Sequence, residues 1–344
     1  YTGWYTLSLH DALPISNYGT VLAQEVRPEV YAACPVAEGS LLFGPNGRTW
    51  LIDHDKKVSQ MPSAASSTLY ACTNYGESIF AVGDGGVITR LEAGVWQREA
   101  VPTAKTLMAI AFDHDGTGWA GGDGILLRRA SDGTWIETPY GSNQAIRSLI
   151  SIPGGGLIGF GDKGLVIRIA AETASPLLPF PGNKDLLTAV IAGDQIVVAG
   201  AQGGAYIGPW MGPFNPIPIS TFVDITALTV TDDGSIYAAG SLGHVFVFDG
   251  TQWSKIEIAG FNSEITVLIP TEDGKILVLA SDDLAIGPFL GIAKYQSPIV
   301  NSPWLNRTIE WSFDRLPTPS FTYMGLYGSK AKSAWVVVGP GHIQ

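Results

Sequence analysis

The sequence is poor in the residues that most active sites and most covalent staples require. Its 344 residues include two cysteines, Cys34 and Cys72, and five histidines, His10, His54, His114, His244 and His342. The cysteines form no CxxC pair and the histidines no HxH or HExxH pair, so neither a redox motif nor a zinc site has support. Charge is sparse too, at 15% of residues, and the basic sign is the scarcer: 20 Lys and Arg against 31 Asp and Glu, net −11. That balance excludes a basic nucleic-acid binder, and the low charge content excludes a coiled coil or a disordered tail. No apolar run reaches the roughly 18 residues of a membrane helix. The nearest, Leu186 to Ala201, is broken by Gly193-Asp194 and reads as a hairpin. The glycine-rich turns lead into strands rather than into a helix with a lysine, so they are not phosphate-cradling loops. No cofactor and no integral membrane segment are expected.

Apolar residues are plentiful at 46%, and Gly (42) and Pro (22) together make about 19%, against the usual roughly 12%. The glycines are periodic. A turn recurs as Gly44-Pro45-Asn46-Gly47, Gly83-Asp84-Gly85-Gly86, Gly122-Asp123-Gly124, Gly161-Asp162-Lys163-Gly164, Gly200-Ala201-Gln202-Gly203 and Gly240-Ser241-Leu242-Gly243. Weaker copies are Ala280-Ser281-Asp282-Asp283 and Gly339-Pro340-Gly341. The last residues fall at 47, 86, 124, 164, 203, 243, 283 and 341, giving six spacings of 38 to 40 and a final one of 58. Each unit reads as four strands, A to D, separated by Gly and Asp turns that need a positive φ. Runs such as Val245-Phe246-Val247-Phe248 are apolar on both faces, as when sheets stack on sheets. A period near 40 with four strands per unit predicts an all-β single β-propeller of four-stranded antiparallel blades.

The count of turns predicts eight blades. Complete blades run from about 29 to 297, and a closing blade combines 321–344 with an N-terminal strand in 17–28. Eight blades of about 40 residues need about 320, and residues 17–344 supply 328. A seven-bladed ring with an appendage, or a fragment of a longer array, are the alternatives. Residues 6–16, Thr6 to Ser16, resemble one reading frame of a common sequencing adapter, so residues 1–16 are set aside as an artefact, with His10 and Asp11. The natural N-terminus is then missing, and the compartment stays open, with a periplasmic or secreted setting ahead of a cytoplasmic one.

Ser131-Asp132-Gly133-Thr134-Trp135, Asp249-Gly250-Thr251-Gln252-Trp253 and Asn46-Gly47-Arg48-Thr49-Trp50 resemble degenerate Asp-box (BNR) turns. With Ala81 to Ile88 followed by a turn and Trp96, the pattern is similar to bacterial photosystem II stability/assembly factor-like propellers. The resemblance implies the fold and leaves the role open. The boxes are short of the usual spacing, and units four and seven lack the strand-D Trp. Asp-box sialidases need an arginine triad and a Tyr nucleophile, and their Phe-Arg-Ile-Pro type motif is absent.

Several periodic residues remain as candidates. Asp84, Asp123 and Asp162 fall in three successive B–C turns and form either an acidic arc for a cationic group or turn caps. Arg90, Arg128 and Arg168 each lie four residues after the turn glycine and form either a basic stripe or salt bridges with residues such as Glu92 and Glu99. Trp96, Trp135 and Trp253 recur in strand D, either stacking sugars or packing between blades. Asp113-His114-Asp115-Gly116 has the start of a calcium loop but no Glu at its twelfth position, and the same slot recurs as an ordinary turn. Cys34 and Cys72 occupy near-equivalent places in successive units, as buried apolar residues or as a pair. The expectation is a non-enzymatic binding or assembly scaffold for a protein partner, contacting it through Arg90, Arg128, Arg168, Asp84, Asp123 and Asp162. A carbohydrate-binding propeller is the first alternative and an enzyme with a central funnel site the second.

Overall fold

The computed structural model describes residues 30–54, 58–177, 179–232, 234–256, 264–270 and 276–281. Beyond these it describes five strands between 289 and 338. Six sheets follow the same plan, four antiparallel strands in sequential order. Blade 1 consists of Ala32–Val36, Gly39–Phe43, Thr49–Asp53 and Val58–Met61. Blade 2 has Leu69–Tyr75, Ser78–Gly83, Ile88–Glu92 and Val95–Arg98. Blade 3 has Leu107–Phe112, Gly118–Gly122, Ile125–Arg129 and Trp135–Glu137. Blade 4 has Ile146–Ser151, Leu157–Gly161, Val166–Ala170 and Thr173–Pro176. Blade 5 has Leu186–Ala192, Gln195–Gly200, Ala205–Pro209 and the short Asn215–Pro216. Blade 6 has Ile225–Val230, Ile236–Gly240, Val245–Phe248 and Trp253–Ile256.

Among the described residues there are six such blades, not eight or seven. Among the described residues, the strands next to the two weak turn copies do not belong to four-stranded sheets in sequential order. Ala280 and Ser281 end the middle strand of a three-stranded sheet, Glu264–Pro270, Ile276–Ser281 and Phe289–Gly291. The last sheet orders its strands Glu310–Ser312, Lys294–Gln296, Ser333–Val338, Met324–Gly328, which is not sequential. A glycine turn is a local hairpin signal; it reports that two strands meet and cannot report that two more complete the sheet. The proposed N-terminal closing strand in 17–28 and the segment 1–16 lie outside the described residues.

The A strands of successive blades lie side by side around the axis, and the three-stranded sheet stands between blade 6 and blade 1. Thr266 Oγ1 of that sheet donates to the Val30 carbonyl at 2.6 Å. Leu279 packs with Val30, Leu42, Trp50 and Ile52. Elsewhere the core lies between neighbouring blades, as where Phe80, Ile88, Phe112, Leu127 and Trp135 form one cluster from blades 2 and 3. This is why strands B and C are apolar on both faces.

In blades 2 to 6 the first glycine of the B–C turn is required by crowding, not by φ. Gly161 has an extended φ of −168°, and a Cβ there would stand 1.9 Å from the Ala145 carbonyl oxygen. That same carbonyl accepts from the Asp162 N–H at 3.0 Å. The last glycine of each turn does need the left-handed region, as at Gly164 with φ +74°. The meander puts the B–C turns and the D–A connections on one face of the disk, and the A–B and C–D turns on the other.

Candidate functional site

Strand A carries a register shift in blades 2 to 6 and in the three-stranded sheet, one residue in from its B–C-turn end. The extra residue is Tyr70, Met108, Arg147, Leu187, Thr226 and Thr266 in turn, and Tyr31 holds the corresponding place in blade 1. A bulge re-aims a side chain out of the pleat. All seven residues are half-buried, and neighbours touch around the axis. The Tyr31 and Tyr70 rings are 5.4 Å apart, Arg147 Nη1 donates to Met108 Sδ at 3.0 Å, and the Thr226 hydroxyl donates to the Ile265 carbonyl. The six bulged residues and Tyr31 thus form a circle of seven side chains of five kinds at the mouth of the axis, on the B–C-turn face.

The three turn aspartates stand beside this circle. Asp84 accepts from Tyr70 Oη and from Thr106 Oγ1, each at 3.0 Å. Asp162 accepts from Arg147 Nε at 2.8 Å and Nη2 at 3.2 Å. Asp123 is exposed, and the described residues give its carboxylate no hydrogen-bond partner. The hydrogen bonds it donates to Asp162 hold the pKa of the Arg147 guanidinium above its ordinary value; the charges of Asp162, Asp123 and Asp185 add to this and burial opposes it. One cation therefore sits among three carboxylates. Arg147 itself escaped the sequence reading, because a bulge follows from pairing register and has no residue signature of its own.

The arginine set lies on the opposite side of the sheets and is engaged within the protein. Arg90 pairs with Glu92 at 3.0 Å and reaches Glu99 at 3.7 Å. Arg128 of blade 3 pairs with Glu172 of blade 4 at 2.8 Å. Arg168 Nη2 donates to the Gly155 carbonyl at 3.3 Å. The candidate residues therefore do not converge: the aspartates gather at one face and the arginines lie toward the other.

The fold is a β-propeller. Its likeness to solved propellers is broad: a streptogramin B lyase is similar with a TM-score of 0.65 at 12% identity, over 74% of this chain and 92% of that one. The WD40 β-propeller domain of Doa1 gives 0.61 at 11% identity, over 76% and 92%. The computationally designed Ika8 protein gives 0.62 at 15% identity, over 91% and 97%. At such identities the likeness shows the propeller alone. The chain matches no protein-family profile and no curated protein.

The remaining candidates take structural places in the propeller. Trp135 is 4% exposed, and its Nε1 donates to Glu99 of blade 2 at 2.5 Å. Trp253 Nε1 likewise reaches back to the Ile217 carbonyl of blade 5 at 2.9 Å. Trp96 is half-buried, edge-on to Phe43 at 5.8 Å. The strand-D tryptophans therefore bolt each blade to the one before. Two of the box-like turns are true C–D turns. Asp132 Oδ1 accepts from the Thr134 hydroxyl and N–H, and Asp249 Oδ1 from Thr251 and Gln252. These bonds hold both carboxyls below their usual range: at Asp132 the Thr134 hydroxyl leads, and at Asp249 the Gln252 N–H leads. Asn46 to Trp50, by contrast, spans a B–C turn and strand C, and is not equivalent to the other two. In the A–B turn of blade 3, Asp113 Oδ1 accepts the Gly156 N–H of blade 4 at 2.7 Å, and Asp115 Oδ1 accepts the Thr117 N–H at 2.8 Å. Among the described residues no group of three or more His, Cys, Asp or Glu is placed to hold a metal. Among them, too, no helix is long and apolar enough to cross a membrane.

Proposed function

We propose that this propeller is a non-enzymatic binding or assembly scaffold that takes a protein partner on its B–C-turn face, over blades 2 to 4. The observation that carries the reading is the circle of bulged residues. Positions the blade needs are uniform, as with Gly83, Gly122, Gly161, Gly200 and Gly240, whose missing Cβ a neighbouring carbonyl demands. The bulge position, in the paired strand A of the same blades, carries Tyr, Met, Arg, Leu and Thr. A repeat does not need that variety to fold, and a surface that distinguishes one partner does. The mouth offers what protein interfaces use: a tyrosine pair, an arginine and a rim of carboxylates. Its carboxylates accept bonds that fix position, as Asp84 does from two hydroxyls, which is a role in shape rather than in proton transfer. The Cys34–Cys72 disulfide fits an oxidising compartment.

The carbohydrate reading loses its basis at Trp135, whose ring is covered by the neighbouring blade. The test of the protein reading is Asp123→Lys. The side chain is exposed, so the change leaves stability within about 0.5 kcal/mol. Capture of partner from the source organism's extract is expected to fall about tenfold, while Arg128→Ala on the other side leaves it unchanged. Equal capture by Asp123→Lys and the parent protein would remove this face from the reading.

A further inference from the structure

Arg90, Arg128 and Arg168 occupy one slot in strand C of blades 2, 3 and 4, and each faces the blade that follows. At Arg168 the register fixes the face. It pairs with Ile158, paired residues share a face, and Ile158 packs with Ile196, Val198 and Tyr206 of blade 5. Arg90 has Glu92 and Glu99, and Arg128 has Glu172 in the C–D turn of blade 4. Arg168 forms no ion pair among the described residues. Its Nη2 donates to the Gly155 carbonyl at 3.3 Å, and its buried Nη1 has no acceptor. Where blade 4 carries Glu172, the C–D turn of blade 5 carries Trp210 and Met211. Trp210 packs against the same cluster between blades 4 and 5, and its Nε1 is also buried without an acceptor.

The carboxylates of the neighbouring turns do not fill this place. Asp113 Oδ1 accepts the His114 and Gly156 N–H groups at 2.6 and 2.7 Å, and Glu172 belongs to Arg128. Asp194, in the A–B turn of blade 5, is exposed and forms no ion pair with Arg168. A buried N–H without an acceptor is destabilising, and so is a part-buried charge without a counter-charge. The protein itself shows what satisfies such a pair. Between blades 2 and 3 a guanidinium and an indole N–H, those of Arg129 and Trp135, together hold the carboxylate of Glu99. We infer that Arg168 and Trp210 form a binding site for a carboxylate that the described residues do not supply, at the edge between blades 4 and 5 on the A–B-turn face. Met211, next to Trp210 and 60% exposed, suits an acid with an apolar body. The site lies away from the B–C-turn face and does not rest on that face being the partner's. The net charge of −11 opposes an anion at long range. Physiological salt screens that field beyond about 8 Å, and a half-buried contact is screened much less.

The test is a titration with phenylacetate at about 0.15 M salt, following the Trp210 indole N–H by heteronuclear NMR. Trp210→Phe identifies that signal by its loss. A saturable downfield shift is expected, as the N–H gains an acceptor. The matched amide, phenylacetamide, and sodium sulfate should leave the signal in place, and acetate should bind about tenfold more weakly for want of apolar contact. Arg168→Met should weaken phenylacetate at least about tenfold while the melting temperature holds or rises, which separates binding from folding. If Arg168→Met does not fold, Arg168→Lys takes its place and should also weaken binding, since a point charge lacks the guanidinium fork. A short peptide with a free C-terminal carboxylate, set against its C-terminal amide, identifies the source of the group. Binding tighter than that of phenylacetate assigns the site to a chain end, and weaker binding assigns it to a small organic acid. An indole signal unmoved by every acid overturns the inference. So does an amide that shifts it as far as its acid, or full phenylacetate affinity in the folded Arg168 variant.

Discussion

Replacing Glu99 by Ala is expected to destabilise the protein by about 3 kcal/mol, because it leaves the half-buried Arg129 guanidinium without its counter-charge and the buried Trp135 Nε1 without its acceptor. Glu99 follows strand D of blade 2, and its side chain is 11% exposed. It accepts from Arg129 Nε at 3.1 Å and Nη2 at 2.9 Å, and from Trp135 Nε1 at 2.5 Å, all in blade 3. Arg129 also lies over the Phe80 ring of blade 2 at 5.4 Å. One carboxylate therefore ties two blades together beside a large apolar cluster that both share. Glu99→Gln keeps an acceptor for Trp135 and removes the charge, so it should cost about half as much. Denaturant unfolding of both variants checks the order. A loss under about 1 kcal/mol in Glu99→Ala would mean that the blades hold without the lock.

Opening the disulfide should cost about as much again. Cys34 and Cys72 lie on the A strands of blades 1 and 2, with Cα atoms 6.0 Å apart and a sequence separation of 38. Closing a loop of that length restricts the unfolded chain by about 4 kcal/mol. The location adds to the effect. Blade 1 is held on one side by blade 2 and on the other by the three-stranded sheet, through Thr266 and Leu279. In a repeat ring each unit leans only on its neighbours. The double variant Cys34→Ser/Cys72→Ser should therefore lose amide protection first in blade 1, and the unfolding midpoint should fall in proportion. Equal protection in blades 1 and 4 after the change would show that the staple is redundant.

The strand plan was legible because its signals are local. Gly164 and Gly203 take left-handed turns at φ +74° and +67°, and hairpins of that kind announce themselves in sequence. The blade count was not legible, since turn copies near 283 and 341 report hairpins and completion of a sheet depends on distant pairing. The adjacent arginines show the same limit. Arg128 and Arg129 point to opposite faces of one strand, and periodicity selects Arg128, which goes outward to Glu172. The residue that locks the blades is Arg129, which periodicity passes over. Arg147 was hidden more deeply, because only the register shift between Ile146 and Ser148 turns it toward the axis. The aspartates at 84, 123 and 162 were placed correctly in their turns, while the partners that engage two of them, Tyr70, Thr106 and Arg147, come from other strands and connections.

The central claim is that the B–C-turn face carries the partner. It is tested most directly by installing a photo-crosslinking residue at position 123 on that face, and separately at position 132 in a C–D turn of the opposite face, then irradiating in the source extract. The account predicts one discrete adduct from position 123, lost when Arg147→Ala is added, and none from position 132. Adducts from position 132 alone, or adducts from 123 that persist unchanged with Arg147→Ala, would contradict it.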